Sequence, residues 1–384
     1  GCEDLQWVTL PEQTTSIGYQ AFKDCCSLQG VVIDAYSIMI GADAFDGCNN
    51  LLYVASNAYY CDAKDPDFAK DEYGSARFDL YAPSYNEGYP DGTLYFDATA
   101  DVVRYQMLDC GGTRVLYGVG MEGDPWLAMR AGTTATGPVT LPAATIELFQ
   151  SVFYMTRTAD PADILTLNWT ELEQLEWVDG SAFESSDLGG VVVLPENLNY
   201  GERVFTGCVK LTDVTIPGDW IGIDDSEGEM FRSCENLERV TFGTLDHKSA
   251  LYTNMFYGAN DLKEIVLTGD IPDLVIWRGM VFQFNTDWTP EEETENLTLV
   301  VPDGMEEQVM QKWRFLFSGV YDFGDYSAYQ TMYDDTYWDI YWEIWAEPDP
   351  AEVFERADAT LLVGENQLRG ILKLPAAEKI SHPA

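Results

Sequence analysis

The chain has 384 residues, 65 of them acidic and 21 basic, for a formal net charge of −44. Such a charge makes nucleic acid and anionic membrane surfaces poor partners; it favours solubility, condensed cations and basic partners. The hydrophobic fraction of 46% is that of a folded protein, and no run of about 18 apolar residues marks a membrane span.

The first predicted element is a tandem array over residues 1–56. Ala21-Phe22-Lys23-Asp24-Cys25 returns as Ala44-Phe45-Asp46-Gly47-Cys48, an offset of 23 by subtraction. Leu5, Leu28 and Leu51 keep that step, as do Cys2, Cys25 and Cys48, then Ile17 and Ile40, then Gly18 and Gly41. A fixed period of this size predicts a solenoid, because one unit cannot bury its apolar side alone and stacks on copies of itself. Leu28, Val31 and Ile33 predict a short strand with those three side chains inward. Pro11 follows the first strand and sets a corner. The Ala-Phe-x-x-Cys piece is too short for a helix and predicts a single turn. Gly1-Cys2 already fills the slot of Gly47-Cys48, so further sequence is expected upstream, with room there for an export signal that is not visible in the chain itself.

Residues 57–161 lose this rhythm and are expected to be an irregular β-rich insert with degenerate repeats. Asp62, Asp65, Asp67, Asp71 and Glu72 could offer oxygens to Ca²⁺. The EF-hand order of ligands is absent, however, and a solvated acidic loop is the simpler expectation, so no metal site is assigned. The part from Tyr89 to Val119 alternates apolar and polar residues around Asp91-Gly92 and Gly111-Gly112, which predicts β-hairpins. Cys61 and Cys110 are the one pair considered for a disulfide.

The period returns over 162–320. Phe183, Phe205, Phe231 and Phe256 follow at steps of 22, 26 and 25 by subtraction, and Leu188, Leu211, Leu237 and Leu262 keep pace. Leu211/Val214/Ile216 and Leu237/Val240/Phe242 repeat the strand pattern, with Pro195 and Pro217 at corners. Cys208 and Cys234 share their slot with Ser186 and Ala259, which predicts a cramped interior position and buried structural thiols. Metal binding is not expected: there is no Cys-x-x-Cys pair, and His247 and His382 are the two histidines of the chain. In residues 321–384, Tyr326, Tyr329, Tyr333, Tyr337, Tyr341 and Trp345 share one face of a predicted helix, which Pro348 breaks. A second helix is predicted from Glu352 to Leu372, with Val353, Ala357, Leu361, Leu368 and Leu372 inward. The two would form an αα-hairpin over 325–374 that caps the array.

The order strand–Pro–five residues–Ile-Gly–two residues–Ala-Phe–two residues–Cys–two residues–Leu runs through VTLPEQTTSIGYQAFKDCCSL at 8–28. Most of it recurs in VVVLPENLNYGERVFTGCVKL at 191–211, with four residues rather than five after Pro195, Tyr200 for Ile and Val204 for Ala. This pattern resembles the BspA-like leucine-rich repeats of bacterial surface proteins. DGTLYFDATADVVRY at 91–105 is similar to the hairpin inserts of such arrays, and LTLVVPDGMEEQVMQKWRFLF at 297–317 to the strand and short helix that close them. The resemblance implies an α+β repeat fold: a right-handed leucine-rich repeat solenoid with a parallel concave β-sheet, a β-hairpin-rich insert and the C-terminal helical cap. It also implies a non-catalytic, extracellular or bacterial cell-surface role without a cofactor.

Side chains alternate along a strand, so outward positions can be named. One row is Trp7, Gly30, Tyr53, Gly190, Asp213, Arg239 and Glu264. The next is Thr9, Val32, Ala55, Val192, Thr215, Thr241 and Val266. The first row mixes rings and charges, and Trp7, Tyr53, Asp213, Arg239 and Glu264 are the candidate ligand-binding residues. No catalytic residue is assigned. Gly-x-Ser-x-Gly, the phosphate-binding Gly-x-x-x-x-Gly-Lys and His-Glu-x-x-His are all absent, and no carboxylate pair can be named for glycoside hydrolysis. Three functions fit: a recognition or adhesion module for protein ligands, a carbohydrate-binding module using Trp7, Tyr53 or the rings of 337–345, and a structural spacer in a larger surface protein.

Overall fold

The computed structural model describes residues 1–64, 69, 76–82, 102–196, 198–216, 221–222, 229–243, 250–251, 255–267, 275–276, 297–302, 360–364 and 367–372. They fall into two compact units, Gly1–Asp163 and Ile164–Ala384.

In the first unit, strands Trp7–Leu10, Gly30–Ile33, Tyr53–Ser56 and Asp79–Tyr81 form a parallel sheet in that order. Trp7 lies opposite Gly30, and Gly30 opposite Tyr53. Each 23-residue step therefore advances the sheet by one strand. Ser16–Ile17, Ser37–Ile40 and Tyr60–Ala63 form a second parallel sheet. Leu28, Val31, Ile33, Ile38, Ile40, Leu51 and Val54 are buried in one cluster, so the predicted inward residues are inward. Phe22 and Phe45 stack with 5.4 Å between ring centroids. The Ala-Phe piece is a single turn, as its length predicts. Two left-handed residues bracket it in each repeat, Gln20 and Asp24, then Asp43 and Gly47.

The insert does more than interrupt the array. Arg104–Asp109 and Arg114–Val119 form a hairpin, turning at Gly111 and Gly112, and Pro125–Ala131 pairs antiparallel with its second strand. This confirms the hairpin predicted around Gly111-Gly112; residues 83–101, with Asp91-Gly92, lie outside the described residues. The three strands pack on the array's first sheet, where Val32, Tyr53, Ala55 and Tyr81 meet Tyr105, Leu116, Leu127 and Met129 in a second apolar core. Two amide side chains fasten the layers. Asn57 accepts from the Tyr105 N–H at 2.6 Å and donates to the Tyr105 carbonyl at 2.9 Å. Gln29 Oε1 accepts from the N–H and the hydroxyl of Thr133, at 3.0 and 3.3 Å. Cys61 and Cys110 are buried but not bridged; all eight cysteines are thiols.

A degenerate repeat follows. Pro142, Leu148, Phe153 and Thr156 are spaced 6, 5 and 3 by subtraction, as are Pro11, Ile17, Phe22 and Cys25. Left-handed Ser151 and Met155 bracket Val152-Phe153. Thr156, in the cysteine slot, donates its hydroxyl to the Gly132 carbonyl at 3.0 Å.

In the second unit, Gly189–Val193, Lys210–Ile216, Arg239–Phe242, Glu264–Leu267 and Leu297–Pro302 form a parallel run. The short strands Trp177–Val178, Asn199–Tyr200 and Ile221–Gly222 pair in parallel, as do Ala250–Leu251 and Val275–Ile276. Phe183, Phe205, Phe231 and Phe256 are fully buried and stacked, with centroids 5.6 to 5.8 Å apart. Each buried ring contributes about 1.5–3 kcal/mol, so the phenylalanine column is a principal stabilising feature. Trp169, in the 3₁₀ turn Trp169–Glu171, covers the first ring at 5.6 Å. The cysteine slot is interior, as predicted, at Cys25, Cys48, Cys208 and Cys234, whereas Cys2 is exposed. The S–H groups of Cys48, Cys208 and Cys234 reach the carbonyls of Phe22, Phe183 and Phe205 in the preceding repeats, at 2.9, 3.1 and 3.0 Å.

The helical cap is corrected. Thr360–Gly364 and Gln367–Leu372 are antiparallel strands, and the second of them pairs with Leu297–Pro302. Gly364 and Gly370 each cost a helix about 1 kcal/mol relative to alanine, whereas the sheet edge offers a full ladder of partners. Residues 360–364 and 367–372 of the predicted second helix thus extend the sheet; 352–359 lie outside the described residues. The predicted aromatic helix at 321–345 lies outside the described residues. No α-helix occurs among the described residues, so the fold is a parallel-strand β-solenoid rather than an α+β repeat.

Candidate interaction face

The two units treat the outward rows differently. In the first, the pairing follows the expected register, but the face is closed. Tyr53, Val32 and Ala55 are buried beneath the hairpin layer and Trp7 packs at its border. Glycine at position 30 is explained by this packing: a Cβ there would lie 2.5 Å from the Tyr53 ring and 2.9 Å from Trp7. The Tyr53 hydroxyl has no hydrogen-bond partner, and burial pushes its pKa up. Asp79, at the border of the same interior, is held above its ordinary value, by burial first, while Arg130 and the Tyr81 hydroxyl act against the shift. Tyr53 is therefore a packing residue in this unit, and the expectation that it meets solvent is overturned; Trp7 is half-buried, and Thr9 is exposed as expected. The reason is long-range: an apolar sheet face recruits an apolar layer from elsewhere in the chain.

In the second unit the face is open through four strands. A β-bulge follows Gly190, whose φ of +71° suits a residue without a Cβ. The residue passed over in the pairing is Thr212 of the second strand. Val191 lies opposite Asp213, and Val192 opposite Val214. Val192 is buried, while Val191 and Val193 are 70% and 48% exposed. The expected row entries Gly190 and Val192 are thus replaced by Val191 and Val193. From there the register is as expected: Asp213, Arg239 and Glu264 are consecutive partners, as are Thr215, Thr241 and Val266. Val300, at the end of the second row, is buried.

The charged row is partly self-compensated. Arg239 Nε donates to Glu264 Oε2 at 2.7 Å, and Nη1 lies 3.5 Å from Asp213 Oδ1. The hydrogen bond to Glu264 is the main cause raising the guanidinium pKa, and the row sets one arginine between two carboxyl side chains. Beside it stand the apolar Val191 and Val193 and the hydroxyls of Thr215 and Thr241. The face therefore mixes charge, hydroxyl and exposed valine. Of the weak Ca²⁺ candidates, Asp62 pairs with Lys64; Asp65, Asp67 and Asp71 lie outside the described residues. No group of metal-ligating side chains occurs among the described residues.

Compared with known families, residues 1–60 and 165–275 match the BspA type leucine-rich repeat region in six copies. Three similar solved structures set the fold in context. A leucine-rich repeat protein from Bacteroides ovatus is 17% identical over 72% of this chain, with a TM-score of 0.34; the chain spans 63% of that protein's length. One from Eubacterium ventriosum is 15% identical over 72% of this chain and 82% of its own, with a TM-score of 0.36. A leucine-rich cell surface protein from Faecalibacterium prausnitzii is 17% identical over 69% of this chain and 80% of its own, with a TM-score of 0.26. No curated protein matches the chain.

Proposed function

We propose that the chain, which matches the BspA type leucine-rich repeat region over residues 1–60 and 165–275, is a non-catalytic recognition module of the bacterial cell surface that binds protein ligands across the open sheet face of its second unit. The observation that carries this is the contrast between the two faces. The first unit covers its own sheet with a hairpin layer, while the second leaves Val191, Val193, Asp213, Arg239 and Glu264 accessible across consecutive strands. A flat, repeating surface of this kind suits extended multivalent contact. Among the described residues no helix is long and apolar enough to cross a membrane, which is compatible with a secreted or anchored module. The carbohydrate reading loses two of its rings, since Tyr53 is buried and Trp7 packs against the same core; the rings of 337–345 lie outside the described residues. The spacer reading predicts no ligand and shares the test below.

The test is surface plasmon resonance against a panel of purified extracellular proteins, basic ones included, with wild type, Arg239→Glu and, as a control in the first unit, Lys23→Glu. A ligand of the face should lose about tenfold in affinity or more on Arg239→Glu, since reversing one charge of a recognition row costs about 1.4 kcal/mol or more. Lys23→Glu should bind as wild type. Equal binding by all three proteins would remove the face from recognition.

A further inference from the structure

The first unit carries an aromatic cluster at the start of the strands of its second sheet. Tyr36 and Tyr59 each sit one residue before a strand of the second sheet, Ser37–Ile40 and Tyr60–Ala63. The Tyr59 N–H donates to the Tyr36 carbonyl at 2.9 Å, so the repeat places the two side chains one above the other. Their rings stack at 5.9 Å, and Tyr60 meets them edge-on, at 6.2 Å from Tyr36 and 4.7 Å from Tyr59. The three remain exposed, at 65%, 37% and 50%. Core positions 38 and 61 point the other way, so the fold does not need these rings for its interior. A contiguous exposed aromatic patch marks an interaction site.

The charge around the patch selects the occupant. Residues 1–64 contain eight acids and two lysines, a net of −6 by subtraction. Both lysines are paired, Lys23 with Asp46 and Lys64 with Asp62. Asp34 lies two residues before Tyr36 and accepts from Asn57; Asp62 lies two residues after Tyr60 and carries the Lys64 pair. Negative potential over exposed tyrosine rings favours a cation, which the ring quadrupole attracts at its face. We propose that Tyr36, Tyr59 and Tyr60 form a docking point for the arginine or lysine side chains of a basic polypeptide, held by cation–π contact and steered by the acidic surface.

Titration calorimetry at low salt tests this with a Gly-Arg repeat peptide and its citrulline counterpart, which keeps shape and loses charge. Replacing all three tyrosines by leucine should weaken the arginine peptide about tenfold, and replacing them by phenylalanine, which keeps the rings, should change it less than threefold. The citrulline peptide should not bind. The proposal is overturned if the leucine variant, shown to be folded by its melting transition, binds the arginine peptide as wild type does. It is equally overturned if citrulline binds as well as arginine, or if a cello- or chito-oligosaccharide binds in place of the arginine peptide. Arg239→Glu, on the other unit, should leave this binding unchanged, so failure here leaves the reading of the open face standing.

Discussion

At the scale of single residues, the cysteine slot shows how a repeat tolerates change. Each slot residue must be small and must also reach back one repeat. Cys234 does both: it is fully buried, and its thiol donates to the Phe205 carbonyl, which also accepts the Cys208 N–H of its own turn. Ser186 occupies the same slot with a hydroxyl 3.7 Å from the Cys208 sulfur, and Thr156 keeps a donor there as well. Small size and a donor are therefore the shared requirement, and sulfur chemistry is not. Cys234→Val is expected to lower the unfolding free energy by about 1–3 kcal/mol, because it overfills the slot and removes the donor. Cys234→Ser keeps a donor in less volume and is expected to cost about 1 kcal/mol. Urea titration ranks the two, and the reverse order would show that packing alone governs the slot.

At the scale of elements, closure of the first unit's sheet depends on few polar contacts. The Asn57 amide takes both backbone groups of Tyr105 and also donates to Asp34 at 2.6 Å. It acts as a clip from the array onto the first hairpin strand. Asn57→Ala leaves an N–H and a carbonyl at the layer junction without that partner, an expected loss of about 2–4 kcal/mol at 1–2 per group. The loss should fall on the layer before the array. Proteolysis should then cut within 102–131 while the array stays resistant; uniform cleavage of both would show that they unfold as one. The bulge after Gly190 works at the same scale. Passing over Thr212 in the pairing sets Val191 rather than Val192 opposite Asp213 on the outer face, as the two-residue period of a strand requires.

At the scale of the whole molecule, the dominant quantity is the charge of −44. Several of the few cations are used as staples between neighbouring repeats: Lys23 to Asp46, Lys210 to Asp187 and Lys263 to Glu238, at 2.6, 3.0 and 2.9 Å. The remaining acids repel one another. Exposed pairs contribute little, so repulsion outweighs them and screening should stabilise the fold. The melting temperature is expected to rise as salt increases from about 10 mM to about 150 mM, where the Debye length shrinks from about 30 to about 8 Å. A fall over that range would mean that the staples outweigh the repulsion.

Much of this was legible in the sequence, because a solenoid repeats its contacts at fixed offsets. The inward identity of Val31, Val214 and Val240, the interior cysteine slot and the stacked phenylalanines all follow from residues returning in phase. Phe153 was legible too, since Pro142, Leu148 and Thr156 hold the spacing of Pro11, Ile17 and Cys25. It was hidden because leucine and threonine stand in the isoleucine and cysteine places. The bulge after Gly190 carried no periodic mark, and the strand at 360–372 reads equally as an amphipathic helix until a sheet edge is present to receive it. What the sequence alone determined is which side chains each coil turns toward its neighbours, because stacking is a local, translational interaction. Which face of the sheet stays open was decided only by the tertiary structure. Asn57 meets Tyr105 across 48 residues and Gln29 meets Thr133 across 104, and contacts made once, at such separations, leave no period to read.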